Sequence, residues 1–226
     1  MQPLIKGDGS SRDDVERRTE SGEVLSALRR FARSRPEIER CELCGSALSG
    51  EHPHLLDRKS RQVTCACDGC AILFCGQEGA KFLRVPRRTL KLEGFRFSDI
   101  EWDAMMLPIN LAFFLRKMNG ETTVLYPSPA GVMESLIGLP SWNEMFGDHL
   151  ALSAVEPEVE ALLVNRIGAQ VAYFIVPIDA CYRLVGMIRT RWRGLSGGPE
   201  VWQAIGEFFA ALERQATSVS EAATHA

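Results

Sequence analysis

An α+β fold, with a small zinc-ribbon-like metal module joined to a larger α+β domain, is what this 226-residue chain predicts. Three observations carry that reading. Two Cys-x-x-Cys pairs, Cys41-Glu42-Leu43-Cys44 and Cys67-Asp68-Gly69-Cys70, flank a stretch with the pattern of a β-hairpin. Later segments intersperse apolar, strand-like runs with helical stripes of period 3.6. Regular βαβ units are too few for a doubly wound parallel sheet.

Taken in order, residues 1–20 are polar and highly charged without apolar periodicity, and are expected to be a disordered arm. Residues 21–38 are expected to hold an amphipathic helix. Val24, Leu25, Leu28, Phe31 and Ala32 share one face, and Pro36 follows its end. The metal module is expected over 39–80. In it, His52 to Asp57 forms one strand, Arg58 to Arg61 a polar turn, and Gln62 to Cys65 the returning strand. A connector containing Pro86 leads into the α+β domain, expected over 90–215.

That domain opens with an apolar strand from Leu107 to Met118, a type I′ turn at Asn119-Gly120, and a return over Glu121 to Tyr126. Tyr126-Pro127-Ser128-Pro129-Ala130-Gly131 is expected to break the sheet, and a short helix follows near Ser141 to Phe146. Glu160 to Arg166 and Val171 to Pro177 read as a further strand pair around Gly168-Ala169-Gln170, with a helical turn as the alternative for the first. Asp179 is placed as N-cap of a helix whose buried stripe is Cys181, Leu184, Val185, Ile188 and Trp192, with Gly194 ending it. Pro199 opens the last helix, with Val201, Ile205, Phe208, Phe209 and Leu212 inward. Residues 216–226 are expected to fray.

The cysteines are the chemically informative residues. A tetrahedral ion needs four soft, deprotonated ligands, and two residues between cysteines let a tight turn aim both sulfurs at one point. Cys41, Cys44, Cys67 and Cys70 are therefore the expected ligands. Zinc is favoured, and four thiolates take iron in the same geometry, so a rubredoxin-like site is the alternative. Six of the seven cysteines fall between positions 41 and 75, which disfavours scattered buried thiols. An odd cysteine count and a start without an apolar segment disfavour a secreted disulfide framework and point to the cytoplasm. The run from Cys65 to Cys75 matches no iron–sulfur spacing. Cys65 is expected on the hairpin strand, and Cys75 in an apolar Ala71-Ile72-Leu73-Phe74 segment packed beneath the site. Cys65 and His54 are reserve ligands, His54 being more simply a strand histidine near the ion.

Charge and composition exclude little. The net charge of −3, with 46% hydrophobic and 24% charged residues, suits a globular protein and argues against a dedicated nucleic-acid binder. No apolar run approaches the ~20 residues that span a bilayer. Between Lys81 and Arg96 six basic residues face one acid, Glu93: Lys81, Arg84, Arg87, Arg88, Lys91 and Arg96. A solvated connector explains them, and an anionic partner is the competing account. Nucleophile elbow, zincin, Walker and dinucleotide motifs are all missing. Ser128 suits a turn, Asp179 and Cys181 a cap and a core, and Trp192 and Arg193 the packing of the last helices. Association is therefore expected in place of turnover.

Seven segments occur in an order that resembles one family. They are Cys41-Glu-Leu-Cys-Gly, His54-Leu-Leu-Asp, Cys65-Ala-Cys-Asp-Gly-Cys, Tyr126-Pro-Ser-Pro-Ala-Gly, Val159-Glu-Ala-Leu-Leu-Val-Asn-Arg, Val176-Pro-Ile-Asp-Ala-Cys-Tyr-Arg-Leu-Val-Gly and Trp192-Arg-Gly-Leu-Ser-Gly-Gly. Together they resemble an uncharacterised bacterial family with a zinc-ribbon-like Cys motif, encoded beside high-affinity, oxygen-tolerant nickel–iron hydrogenases. The resemblance spans about residues 39–213 and includes Cys41, Cys44, Cys65, Cys67 and Cys70. It implies a non-enzymatic accessory or assembly protein whose partner is a hydrogenase subunit or maturation factor. The alternatives are a redox protein with an iron site serving such an enzyme, and a nucleic-acid-binding zinc-ribbon protein.

Overall fold

Ten strands and six helices follow residue 38 in the computed structural model, which describes residues 38–77, 79–168 and 171–220. The arm and the amphipathic helix expected before residue 38 lie outside the described residues, as does the tail beyond 220. The first sheet has the order β2-β1-β3, formed by β1 (His54–Asp57), β2 (Val63–Cys65) and β3 (Phe82–Arg84). Both pairings are antiparallel, with His54 opposite Cys65 and Leu56 opposite Leu83. Helix α1 (Asp68–Phe74) fills the connection from β2 to β3. The hairpin expected between the cysteine pairs is thus present, with Asp57 accepting from the Lys59 and Ser60 amides at 2.8 and 3.0 Å to close its turn.

The second sheet has seven strands in the order β10-β4-β9-β8-β5-β6-β7. They are β4 (Leu90–Glu93), β5 (Leu111–Arg116), β6 (Thr122–Ser128), β7 (Gly131–Glu134), β8 (Glu160–Asn165), β9 (Ala172–Pro177) and β10 (Thr217–Ser220). Its three central strands read as unbroken apolar runs because both faces are covered. Leu111, Phe113 and Leu115 of β5 point to one core with Ala161, Leu163, Phe174 and Val176. The intervening Ala112 and Phe114 point to the other, with Leu162, Val164, Tyr173 and Ile175. Helices α5 (Ile178–Arg191) and α6 (Pro199–Gln215) seal the first face through Cys181, Leu184, Ile188, Val201, Ile205 and Phe209. Helices α2 (Asp99–Ala104), α3 (Trp142–Phe146) and α4 (Leu150–Ser153) cover the second with Trp102, Trp142, Phe146 and Leu152. The fold is mixed α+β with two sheets. Leu56 and Val85, from the small sheet and its exit, sit in the first core.

Several local expectations need correction. Residues 217–220 are not frayed but form β10, parallel to β4, in register from Thr217–Leu90 to Ser220–Glu93. That strand occupies an edge whose amides and carbonyls would otherwise be unpaired. The Tyr126–Gly131 segment does not break the sheet: β6 runs to Ser128 and turns into β7, with Pro127 opposite Val132. Proline is tolerated because its missing amide falls where the ladder does not need it. At Asn119-Gly120 only Gly120 has positive φ, 86°. The turn is closed by the Gly120 amide on the Lys117 carbonyl, 2.9 Å, and by Lys117 N–H on Glu121, 2.8 Å. Gly120 thus serves as a bulge after the turn.

Helix α2 was not foreseen, although its capping box is legible: Ser98 and Glu101 bond each other's amides. Helix α5 starts at Ile178 after Pro177, so Asp179 lies inside the first turn and caps nothing. It ends at Arg191, three residues before Gly194, once Trp192 turns extended.

Candidate metal centre

Each cysteine pair is held by its own backbone turn. In the first, the Cys41 amide donates to Ser46 O at 2.8 Å, and the Gly45 amide returns to Cys41 O at 2.7 Å. Gly45 takes φ 76°, a left-handed conformation that glycine adopts without steric cost and that lets the chain reverse behind Cys44. In the second, Cys67 is the N-cap of α1, and its sulfur accepts the Cys70 amide at 3.4 Å. The two turns are tied together by Glu42, whose amide donates to Cys65 O at 3.0 Å and whose Oε1 accepts the Cys65 amide at 2.8 Å. Beneath them Leu55, Ala66, Ala71 and Phe82 form a small apolar floor.

This scaffold brings the sulfurs of Cys41, Cys44, Cys67 and Cys70 within 4.8 Å of one another. Cys44 and Cys67 Sγ are 3.7 Å apart. Around a tetrahedral ion with metal–sulfur bonds near 2.3 Å, neighbouring sulfurs stand about 3.8 Å apart. That spacing is far too long for a disulfide and suits a four-thiolate site. Cys41 is buried and Cys44 exposed, so one edge of the cluster faces solvent.

The electrostatics fit thiolate ligands. Burial raises the Cys41 thiol, but hydrogen bonds from the backbone of Cys67, Cys44 and Leu43 outweigh it and bring it down to about 6. The Cys70 amide, with Ser46, lowers Cys67 as well. Cys70 is pushed up to about 12, by burial first and then by the sulfurs around it. Three sulfurs repelling a fourth negative charge is the situation that a bound cation relieves. The four residues can therefore hold a metal ion, zinc and iron both suiting the donor set.

The remaining candidates fall elsewhere. Cys65 lies on β2 as expected, and His54 on β1, and both group with His52 apart from the four-thiolate set. Cys75 packs at the margin of the floor, its thiol raised by burial. The Ala71–Phe74 segment is only in part beneath the site: Ala71 is buried, whereas Ile72, Leu73 and Phe74 are exposed. In a helix of two turns only one side can face the floor. Cys181 is a core residue, its thiol raised by burial. Ser128 is a turn former, its Oγ donating to Gly131 O at 3.0 Å and accepting from the Ala130 amide at 3.1 Å.

Four of the six cations of the basic connector are paired with acids of the chain. Lys81 pairs with Asp57 at 3.1 Å, Arg87 with Glu51 at 3.5 Å, Arg88 with Glu160 at 2.6 Å, and Lys91 with Glu213. None of those acids is close in sequence, so composition alone made the stretch look like an anion-binding patch. No helix among the described residues is long and apolar enough to cross a membrane.

Two cysteine turns on a three-stranded sheet, backed by a seven-stranded α+β body, define a protein with a four-cysteine site able to hold a metal ion. The chain belongs to the family of unknown function DUF5947, whose model matches residues 40–216 and so takes in the whole cysteine cluster, the three-stranded sheet and every strand of the large sheet except β10. No curated protein and no solved structure matches it significantly.

Proposed function

We propose that this chain is a non-enzymatic, metal-binding accessory protein, with Cys41, Cys44, Cys67 and Cys70 as zinc ligands and the α+β body as the surface that meets a protein partner. The convergence of the four sulfurs within 4.8 Å carries the reading. Four thiolates saturate a tetrahedral ion and leave no position for substrate or water, so zinc there is structural. It fixes the two turns, and through Leu56 and Val85 it steadies the junction with the first core. The partner is proposed from the resemblance of the seven sequence segments to a family encoded beside nickel–iron hydrogenases: a hydrogenase subunit or maturation factor in the cytoplasm.

The exposed edge at Cys44 supports the alternative of an iron site passing electrons to or from such an enzyme, since electron transfer needs a short path to the surface. One experiment separates them. Protein produced with zinc and iron both supplied is expected to be colourless and to carry zinc on the four cysteines. A red protein whose absorbance bleaches with reductant replaces the accessory reading by the redox one. Deleting the gene is expected to lower the level of assembled hydrogenase in a host that has the enzyme. Normal hydrogenase activity in that strain, with no subunit recovered on the purified protein, refutes the partner.

A further inference from the structure

We infer a second transition-metal site, separate from the four-thiolate cluster, formed by His52, His54 and Cys65 and oriented by Asp179. One ring nitrogen from each histidine and the Cys65 sulfur lie within 4.8 Å of one another, and no residue is shared with the first set. The three come from two paired strands and the loop before them. His54 and Cys65 are direct cross-strand partners, which puts their side chains on the same face of the hairpin. His52 reaches the same place from two residues before β1, its ring edge-on to His54 at 5.1 Å between centroids.

The hydrogen bonds set the tautomers. His52 Nδ1 lies 3.0 Å from the Ser49 carbonyl, which can only accept, so Nδ1 carries the proton and Nε2 the lone pair. His54 Nδ1 lies 2.5 Å from Asp179 Oδ2, and a carboxylate likewise only accepts. The arrangement of carboxylate, imidazole and metal-facing nitrogen is the one that fixes ring orientation and raises ligand basicity in metal sites. Asp179 is the residue that a sequence reading assigns to a helix cap. It gives up that role and spans 125 positions of sequence to reach His54. Its other oxygen, Oδ1, is buried and accepts no hydrogen bond, so the carboxylate is committed to His54 through Oδ2.

The donor set selects the ion. Two imidazoles and one thiolate suit a borderline divalent cation such as Zn(II), Co(II) or Ni(II), and not the hard cations that prefer oxygen. Three protein ligands leave a fourth position, which distinguishes this site from the closed four-thiolate one. His52, His54 and Asp179 line a cleft of about 390 Å³ together with Arg87 and Arg183. An exchangeable ligand, water or a small anion, reaches the ion from that cleft. An ordinary histidine–aspartate ion pair explains the Asp179 contact alone, but not the placement of His52 and Cys65 beside it.

The test uses the full chain stripped by chelation and titrated with Co(II), whose visible bands report the number of thiolates bound. About two ions per chain are expected, one with an intense tetrathiolate spectrum and one with a weaker spectrum from a single thiolate. The double variant His52→Ala/His54→Ala should keep the tetrathiolate spectrum and lose the second ion. Cys41→Ser/Cys44→Ser should lose the tetrathiolate spectrum; since both sites stand on the same small sheet, the histidine double variant, which leaves the cysteine turns intact, is the one that reports on the second site alone. Asp179→Asn should keep the stoichiometry of about two and weaken the second ion by about 10–100-fold, the range for partners that orient a ligand histidine. One ion in the wild type, or two unchanged in the histidine double variant with the tetrathiolate spectrum intact, overturns the second site.

Discussion

Arg88 grips Glu160 with two nitrogens, Nε at 2.6 Å from Oε1 and a terminal nitrogen at 2.7 Å from Oε2. The Glu160 side chain is fully buried, and Arg88 is part-exposed on the connector. The same guanidinium donates to Ala154 O at 2.9 Å, so it clamps the connector between the two sheets onto the start of β8. A buried carboxylate held bidentately is well compensated, and the arginine cannot leave without stranding it.

Arg88→Met is therefore expected to destabilise the protein by about 3–5 kcal/mol, the range for removing one partner of a buried pair. Adding Glu160→Gln should recover a large part of that loss, because the stranded charge is gone. Urea unfolding of the wild type, the single and the double variant measures the effect. Additive losses would show that the two side chains act independently.

Acid should weaken the turn between β1 and β2. The Asp57 carboxyl is lowered to about 2, first by the Ser60 and Lys59 amides and then by Lys81 beside it. A folded value below the unfolded one of about 3.9 means that the folded state favours the charged form. The stabilisation is fully present above about pH 4 and is lost as pH falls towards 2. Asp57→Asn should flatten the stability profile between those values and leave the slope at neutral pH unchanged. Thermal melts from pH 2 to 7 provide the comparison.

Metal removal should loosen the small sheet before the large one. Cys70→Ser is expected to lose the four-thiolate ion and with it metal-binding free energy on the order of 10 kcal/mol. Hydrogen exchange should rise first at Leu55 and Ala66, in the floor under the sulfurs, while the central strands β5 and β8 stay protected. Equal loss of protection in both sheets would mean that the ion supports the whole fold.

Two glycines should respond in opposite directions. Gly197 has φ 88°, and a Cβ there would stand 2.8 Å from Val201 Cγ1 and 3.2 Å from the Trp192 ring. Gly197→Ala should cost about 1–3 kcal/mol through overpacking, in addition to the strain of a left-handed backbone. Gly206, inside α6, has open space at its Cβ position. Gly206→Ala should stabilise by about 0.5–1 kcal/mol, the helix-interior difference between the two residues. Denaturant midpoints report both.

Binding to nucleic acid should be weak. Four of the six connector cations are already paired with acids of the chain, so few counterions would be released on contact with phosphates. Only non-specific attraction is expected at physiological salt. A sub-micromolar complex with a steep salt dependence would contradict this.

Local patterns in the sequence were enough for much of the molecule. Cysteine spacing located both turns, and short apolar runs on either side of Gly168 marked β8 and β9. Pro199 opened α6, and Ser128 was legible as a turn former. Each of these is decided by residues within a few positions, where backbone preferences and short hydrogen bonds dominate. The same logic failed where a distant partner outweighed the local signal. Asp179 has the composition of a cap, but His54 offers a hydrogen bond that the cap does not. Thr217–Ser220 has the composition of a tail, but the edge of β4 supplies unpaired backbone for it.

The sequence by itself determined that this chain carries two cysteine turns, a hairpin between them and a body of mixed strands and helices, because spacing and periodicity are local properties. Only the tertiary structure decided that Cys41, Cys44, Cys67 and Cys70 meet at one point and that His52, His54 and Cys65 gather separately beside Asp179. It also decided that four of the connector's six cations are paired within the protein. Those outcomes rest on contacts between segments as far as 125 positions apart. Such contacts form only after the two cores have packed and fixed which faces of the strands look at one another.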